Sequence, residues 1–200
     1  ALESQRHKTV VVGEDLGMVP SYVRPAMKKH AFNRMYVLRY ELAADITKGL
    51  HPVPPDSVAS LNTHDMPPFA SFWQGLDIEE RLKLGLLDEP GSNRERDNLP
   101  EMRRVLTTFL RGGGWLQESD NNTLAVLKVC LAYLSASRAR VVLVNLEDLW
   151  LETQPQNVPS TSSEYPNWQH RTHLTFEEFC QMSQVIDILK TVSKLRQPGG

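Results

Sequence analysis

The sequence has little cysteine, no long apolar run and no excess of positive charge, and each shortage closes off a class of function. Two cysteines, Cys130 and Cys180, cannot build a disulfide framework. Both sit in helix-like apolar patterns, so they are expected to be buried free thiols in a reducing, cytoplasmic setting. No apolar stretch approaches the roughly 20 residues of a membrane span, and the start, Ala1-Leu2-Glu3-Ser4-Gln5-Arg6, lacks the apolar centre of a signal peptide. No membrane partner is expected. Lys and Arg total 22 against 24 Asp and Glu, a net charge of −2. That leaves no basic field for a phosphate backbone, so nucleic acid is not an expected partner. Gly-x-Ser-x-Gly and paired Cys/His signatures are missing. Arg111-Gly112-Gly113-Gly114 lacks the spacing and flanking strand of a phosphate loop and reads as a helix stop. His170-x-x-His173 has neither the spacing nor the partner ligands of a zinc site. Nothing calls for a cofactor or a metal.

What is present is a series of short strands alternating with helices. Residues 1–7 read as the tail of a helix and residues 8–13 as a buried strand. A helix follows from Pro20 to about His30. Met35–Tyr40 reads as the next strand and Ser57–Asn62 as the third, after the rigid loop His51-Pro52-Val53-Pro54-Pro55. Helical patterns cover about 78–88 and 98–110, split by a turn at Asp88–Asn93. Leu124, Leu127, Leu131 and Leu134 form one stripe of a helix over Asn122–Arg138. Arg140–Asn145 is a strand apolar on both faces, as interior parallel strands are. A polar loop with three prolines runs over 147–174, and Thr175 with Glu178 opens the last helix as a capping box, with Leu174 and Phe179 as its staple.

This order predicts an α/β fold with about four parallel strands and flanking helices, in one domain over residues 1–200. Such a unit is an open sheet or half of an eight-stranded barrel, since a complete (β/α)8 barrel takes around 250 residues. As half a barrel it exposes the strands at 8–13 and 141–145 as edges.

Two strand ends deliver acids. Gly13-Glu14-Asp15 ends the first strand and Thr63-His64-Asp65 follows the third. Carboxyl ends of parallel strands are where such folds place catalytic groups. Two readings of Glu14 stand: a general acid/base with its pKa raised by partial shielding, or, with Asp15, a helix cap. Asp65 and His64 either hold sugar hydroxyls or are a cap and a satisfied histidine. Trp73, Tyr165 and Trp168 follow strands in loops and offer flat faces to sugar C–H groups, with core packing the alternative for Trp73.

Gly13-Glu14-Asp15-Leu16-Gly17, Asn62-Thr63-His64-Asp65-Met66-Pro67, Phe72-Trp73-Gln74-Gly75 and the run from Gln156 to Trp168, ending Tyr165-Pro166-Asn167-Trp168, resemble the amylomaltase family. These are 4-alpha-glucanotransferases of the alpha-amylase clan, and the similarity is to the bacterial form that processes maltodextrins. It extends over about residues 1–180 in order and spacing. It implies the carboxyl-terminal half of a (β/α)8 barrel, strands five to eight. It also implies Glu14 as general acid/base, Asp65 as the carboxylate gripping the sugar in the −1 subsite, and His64 as its neighbour on that sugar. Asn157, Tyr165, Trp168 and Trp73 are the further candidates for substrate binding.

The partners implied are alpha-1,4-glucans, maltooligosaccharides and the amino-terminal half of the same enzyme, because the family's aspartate nucleophile lies on strand four, upstream of Ala1. On this reading the 200-residue chain does not turn over alone. Two other readings stay open: a glucan-binding module without catalysis, and a half-barrel completed by self-association. Ser160 stands where the family usually has glycine, and Arg39-Tyr40-Glu41 carries no functional residue over.

Overall fold

A computed structural model describes residues 2–44 and 49–197 of the chain. The first expected helix is α1, Leu2–His7; Ala1 lies outside the described residues. The expected buried strand at 8–13 is reduced to one parallel bridge, Val12 to Asn33. Gly13 N–H donates to the Asn33 carbonyl and Asn33 N–H to the Val11 carbonyl, both at 2.9 Å. Val10 and Val12 are 56% and 43% exposed. The segment pairs on one side only among the described residues, so its valines lack the cover that an interior strand has. Helix α2, Val23–Lys29, begins three residues after Pro20 and buries Met27. A Cβ at Gly13 would stand 2.7 Å from the Met27 Cε, so a larger residue there would displace the end of that flexible side chain.

Strand β1 is Arg34–Val37, shorter than the expected Met35–Tyr40. The chain turns at once into α3, Leu38–Ala44. Leu38 and Leu42, four residues apart, are both fully buried; that shared helical face outweighs further extension of the strand. Strand β2, Ser57–Ser60, is buried at every position. It pairs in parallel with β1, Tyr36 opposite Ala59, and with β3, Val141–Val142, Ala59 opposite Val142. The ladder continues weakly beyond β3, where Leu143 N–H donates to the Ala59 carbonyl at 2.8 Å. Each parallel neighbour follows the last in sequence, the order made by successive strand–helix units.

The apolar core lies between this sheet and the helices α4 (Phe69–Gln74), α5 (Leu76–Lys83), α6 (Glu89–Gly112), α7 (Thr123–Ala136) and α9 (Ser183–Arg196). The expected turn at Asp88–Asn93 is instead the start of α6. Asp88 Oδ1 accepts the Gly91 N–H at 2.7 Å and Pro90 lies in the first turn, so residues that resemble a turn are a cap followed by a proline that suits it. In α7, Leu127, Cys130, Leu131 and Leu134 are buried as expected, and Asn122 caps the first turn through Ala125 N–H at 2.9 Å. Cys130 is a buried thiol, whereas Cys180 is exposed, because the short helix α8, Phe176–Phe179, ends there before any apolar stripe can cover it. The capping box of Thr175 and Glu178 forms on α8. Among the described residues no helix is long and apolar enough to cross a membrane.

Candidate functional site

In a parallel sheet every strand ends on the same edge, so Glu14, Asn62 to Asp65, and Asn145 to Glu147 leave the sheet together. Glu14 and Asp65 follow segments separated by β1, two strand spacings or about 10 Å at sheet level.

The structure divides the two acids of Glu14-Asp15 between distinct tasks. The Asp15 side chain is fully buried and takes the Nε–H of both Arg24 and Arg34 at 2.9 Å, and the Met35 N–H at 3.0 Å. Burial alone would raise its pKa, but these donors together hold the carboxyl below its usual range. Asp15 therefore fastens the strand end to α2 and to β1, and it caps no helix. Glu14 is exposed, and among the described residues no hydrogen bond or ion pair engages its carboxylate. It is free to meet something else.

Asp65 is met from a loop far along the chain. Asn157 Nδ2 donates to Asp65 Oδ1 at 2.6 Å, and His64 Nε2 lies 3.4 Å from Asp65 Oδ2. The Trp168 ring sits over His64, centroids 5.8 Å apart and tilted by 41°. The loop that brings Asn157 and Trp168 here is fixed by its own bonds. Asn167 Oδ1 accepts the Val158 N–H at 2.8 Å, and its amide donates to Thr161 Oγ1 at 2.9 Å. Trp168 N–H donates to the Gln156 carbonyl at 2.7 Å. Trp168 holds φ at +61° and is 59% exposed. A bulky residue in the left-handed region is strained, and such strain collects where a side chain is held out for use.

Trp73 does not join this cluster. It is 6% exposed and stacks on Phe69 at 5.6 Å. Phe69, Phe72 and Trp73 follow the i, i+3, i+4 spacing that places all three on the core face of α4. Tyr165 is also buried. Its hydroxyl donates to the Pro155 carbonyl at 2.7 Å and meets His170 Nε2 at 2.9 Å. Burial, with Glu80 and Glu152 nearby, pushes its pKa up to about 12. Tyr165 braces the loop from within.

A cleft of about 150 Å³ beside His64 and Trp168 is also lined by Asn62, Asn145, Glu147 and Asp148. Sequence reasoning singled out none of these four. Asn62 and Asn145 carry a readable signal, a polar residue ending an apolar strand, and Asn145 Nδ2 donates to Asn62 Oδ1. Asp148 has no such signal, yet it is 1% exposed, and its oxygens accept the Phe69 N–H at 2.6 Å and Asn62 Nδ2 at 3.1 Å. Desolvation outweighs these bonds and, with the charge of Glu147, lifts its carboxyl to about 6. Among the described residues no group of three or more His, Cys, Asp or Glu could hold a metal ion.

Residues 1–175 match a family model described as 4-alpha-glucanotransferase. The 4-alpha-glucanotransferase of Haemophilus influenzae is 31% identical over 175 residues, covering 84% of this chain and 25% of that protein. Its counterpart in Mycobacterium tuberculosis is 32% identical over 178 residues, covering 84% and 24%. The chain thus spans about a quarter of the length of these curated relatives. Among solved structures, the amylomaltase of Corynebacterium glutamicum superposes with a TM-score of 0.81 at 21% identity, over 98% of this chain and 30% of that one. The amylomaltase of Streptococcus agalactiae in complex with acarbose gives 0.67 at 16%, over 100% and 34%. The likeness in structure is one of fold: the parallel α/β arrangement here is that of a portion of a larger barrel.

Proposed function

The chain belongs to the 4-alpha-glucanotransferase family, and from that premise we propose that its 200 residues form one domain, the carboxyl-terminal half-barrel of a retaining transferase of alpha-1,4-glucan segments. The observation that carries the reading is the contact of Asn157 with Asp65, 92 residues apart, beside an exposed Trp168 held in a strained backbone. In this reading Asp65, oriented by Asn157, accepts hydroxyl hydrogens of the sugar at the cleaved bond, and His64 donates to the same ring. Trp168 stacks on a neighbouring sugar. Tyr165 serves by holding the loop, and Trp73 by packing. The setting is cytoplasmic, the partners are maltooligosaccharides, and the amino-terminal half-barrel supplies an aspartate nucleophile.

Glu14 supports the acid/base role because Asp15 satisfies the local structural needs and leaves it unengaged. The aspartate attacks the anomeric carbon while Glu14 protonates the departing glycosidic oxygen. Glu14 then takes the proton of an acceptor 4-hydroxyl as that oxygen displaces the aspartate. A retaining pair of this kind stands about 5–5.5 Å apart, too close to admit the water an inverting enzyme needs.

The test is Glu14→Gln in a polypeptide that also carries the nucleophile. Turnover of maltotriose should fall by about 10²- to 10⁴-fold with acarbose affinity kept. A variant within a few-fold of the parent refutes the assignment. The 200-residue chain by itself should show no disproportionation of maltotriose.

A further inference from the structure

The segment that presents His64 and Asp65 has few bonds of its own. Met66 N–H reaches the Thr63 carbonyl at 3.1 Å, Asp65 N–H reaches Thr63 Oγ1 at 3.3 Å, and Asn62 Nδ2 makes a long bond to the Pro67 carbonyl at 3.4 Å. Pro67 and Pro68 have no N–H to donate, and Pro68, preceding α4, offers no side-chain cap. The segment is fastened at its two ends instead, and one group holds both. Asp148 Oδ1 accepts the Phe69 N–H at 2.6 Å, and Asp148 Oδ2 accepts Asn62 Nδ2 at 3.1 Å. Asn62 uses its remaining oxygen for Asn145, at the end of the neighbouring strand. Asp148 is thus the point at which the Asp65 segment, the end of β2 and the turn after β3 are joined, and it is 1% exposed.

We propose that Asp148 is a positioning residue for Asp65: its ionised carboxylate, buried beneath the cleft, clamps both ends of the His64–Asp65 segment and so sets the contact between Asp65 and Asn157. A proton on Asp148 removes the charge that strengthens both bonds and makes one oxygen a donor, facing two groups that can only donate. The segment then loses one of its two ties to Asp148, keeping only the long Asn62–Pro67 bond across its base, and Asp65 moves relative to Asn157. Charged neighbours are few. Glu147 adjoins Asp148 and lines the same cleft, as does His64, whose Nε2 is 3.4 Å from Asp65 Oδ2. A carboxyl raised to about 6 makes this change within the range where cytoplasmic enzymes work. For its functional consequence the inference rests on the reading of Asp65 as a sugar-binding carboxylate.

NMR of the 200-residue chain tests it. The ¹³C shift of the Asp148 carboxyl and the ¹⁵N and ¹H shifts of the Asn157 side-chain amide are followed from pH 7.5 to 4.5. The expected result is a common midpoint close to 6, unmoved by His64→Gln and absent in Asp148→Asn at the Asn157 amide. An Asn157 amide that ignores Asp148, or follows His64 alone, overturns the proposal, and the carboxyl shift decides it in the unmodified chain should the Asn variant fail to fold. Acarbose titrations over the same range should weaken about five-fold or more as Asp148 protonates. If Asn157 tracks Asp148 but acarbose binds at no pH, the positioning stands and the sugar reading falls. If acarbose binds equally at every pH and Asn157 does not track Asp148, the sugar reading stands and the positioning falls.

Discussion

Replacing Asp15 by alanine should destabilise the chain by about 3 kcal/mol. Its carboxylate accepts from two arginines at 2.9 Å and from Met35 N–H at 3.0 Å, with its own side chain fully buried. Hydrogen bonds to a charged group are each worth about 1.5–3 kcal/mol, and an orphaned buried N–H costs about 1–3 kcal/mol. The sum overstates the loss, because Arg24 and Arg34 are 52% and 29% exposed and regain water when their partner goes. A chain of this size has a urea slope of about 2 kcal/mol/M, so the midpoint should fall by about 1.5 M at pH 7. The pH dependence fixes the cause. The folded-state pKa of Asp15 lies below the ordinary value of 3.8. Its contribution is therefore complete above that value and is lost as pH falls through the lower, folded one. Wild type and Asp15→Ala should differ fully at pH 6–7 and converge in acid. Glu14→Ala, with no partner to lose among the described residues, should stay within about 0.5 kcal/mol of wild type. A shift below about 0.3 M for Asp15→Ala, or a Glu14→Ala loss of similar size to it, would refute the division of labour between the two acids.

Ser160 holds φ at +69°, a conformation that costs a non-glycine residue about 1–2 kcal/mol. After the added freedom of glycine in the unfolded chain, Ser160→Gly should stabilise by about 0.5–1 kcal/mol in urea denaturation. On the proposed sugar-stacking role, Trp168→Ala should weaken any acarbose binding about three- to ten-fold in calorimetry, the range of one aromatic contact, while leaving the urea midpoint near that of wild type. Native protein should show one fast thiol with a chromogenic disulfide reagent, from the exposed Cys180, and a second, from Cys130, only on unfolding. Asp88→Ala should cost about 1 kcal/mol through loss of the α6 cap.

The elements that sequence reveals here are those whose signal is local. The α7 stripe forms as read and the Thr175 box forms too, although on the short α8 rather than on the last helix, because side-chain spacing and short-range hydrogen bonds decide them. Misreadings arise where two local signals overlap. Asp88-Glu89-Pro90-Gly91 suits a turn and a helix start equally, and the choice falls to the long apolar face of α6 behind it. Trp73 of α4 reads as a sugar platform until its helical spacing with Phe69 and Phe72 is laid against the sheet. The site divides along the same line. Glu14, His64, Asp65, Asn157 and Trp168 lie in runs that resemble a known family. Asp148 owes its role to two donors 79 and 86 residues away, and its flanks, Glu147 and Leu149, do not set it apart. Long-range satisfaction of a buried charge leaves no trace in local pattern.

The sheet also explains why a strand of six apolar-flanked residues, 140–145, is expected where only two pair. Side chains alternate between faces along a strand. Tyr36, Ala59 and Val142 form one cross-strand row, packed into the helical core. Met35, Val58 and Val141 form the next row and point the other way. On that second face the centre is covered, Val58 at 7%, but the margins are open, with Val141 at 38% and Leu143 at 52%. Val12, opposite Asn33, is open at 43% on the other margin. A valine-rich strand written for two buried faces is held by only one here, so its pairing shrinks to what the helices enforce. The same margins carry the chemistry proposed above: Glu14 leaves from the Val12 margin, and Asn145 and Glu147 leave from the other. In a closed barrel each margin strand gains a neighbour on its open side, and the end of that neighbour lies beside the margin's own acid. The exposure of Val12 and the unengaged carboxylate two residues later are therefore one fact about the fold, and the proposed acid/base role of Glu14 draws on both.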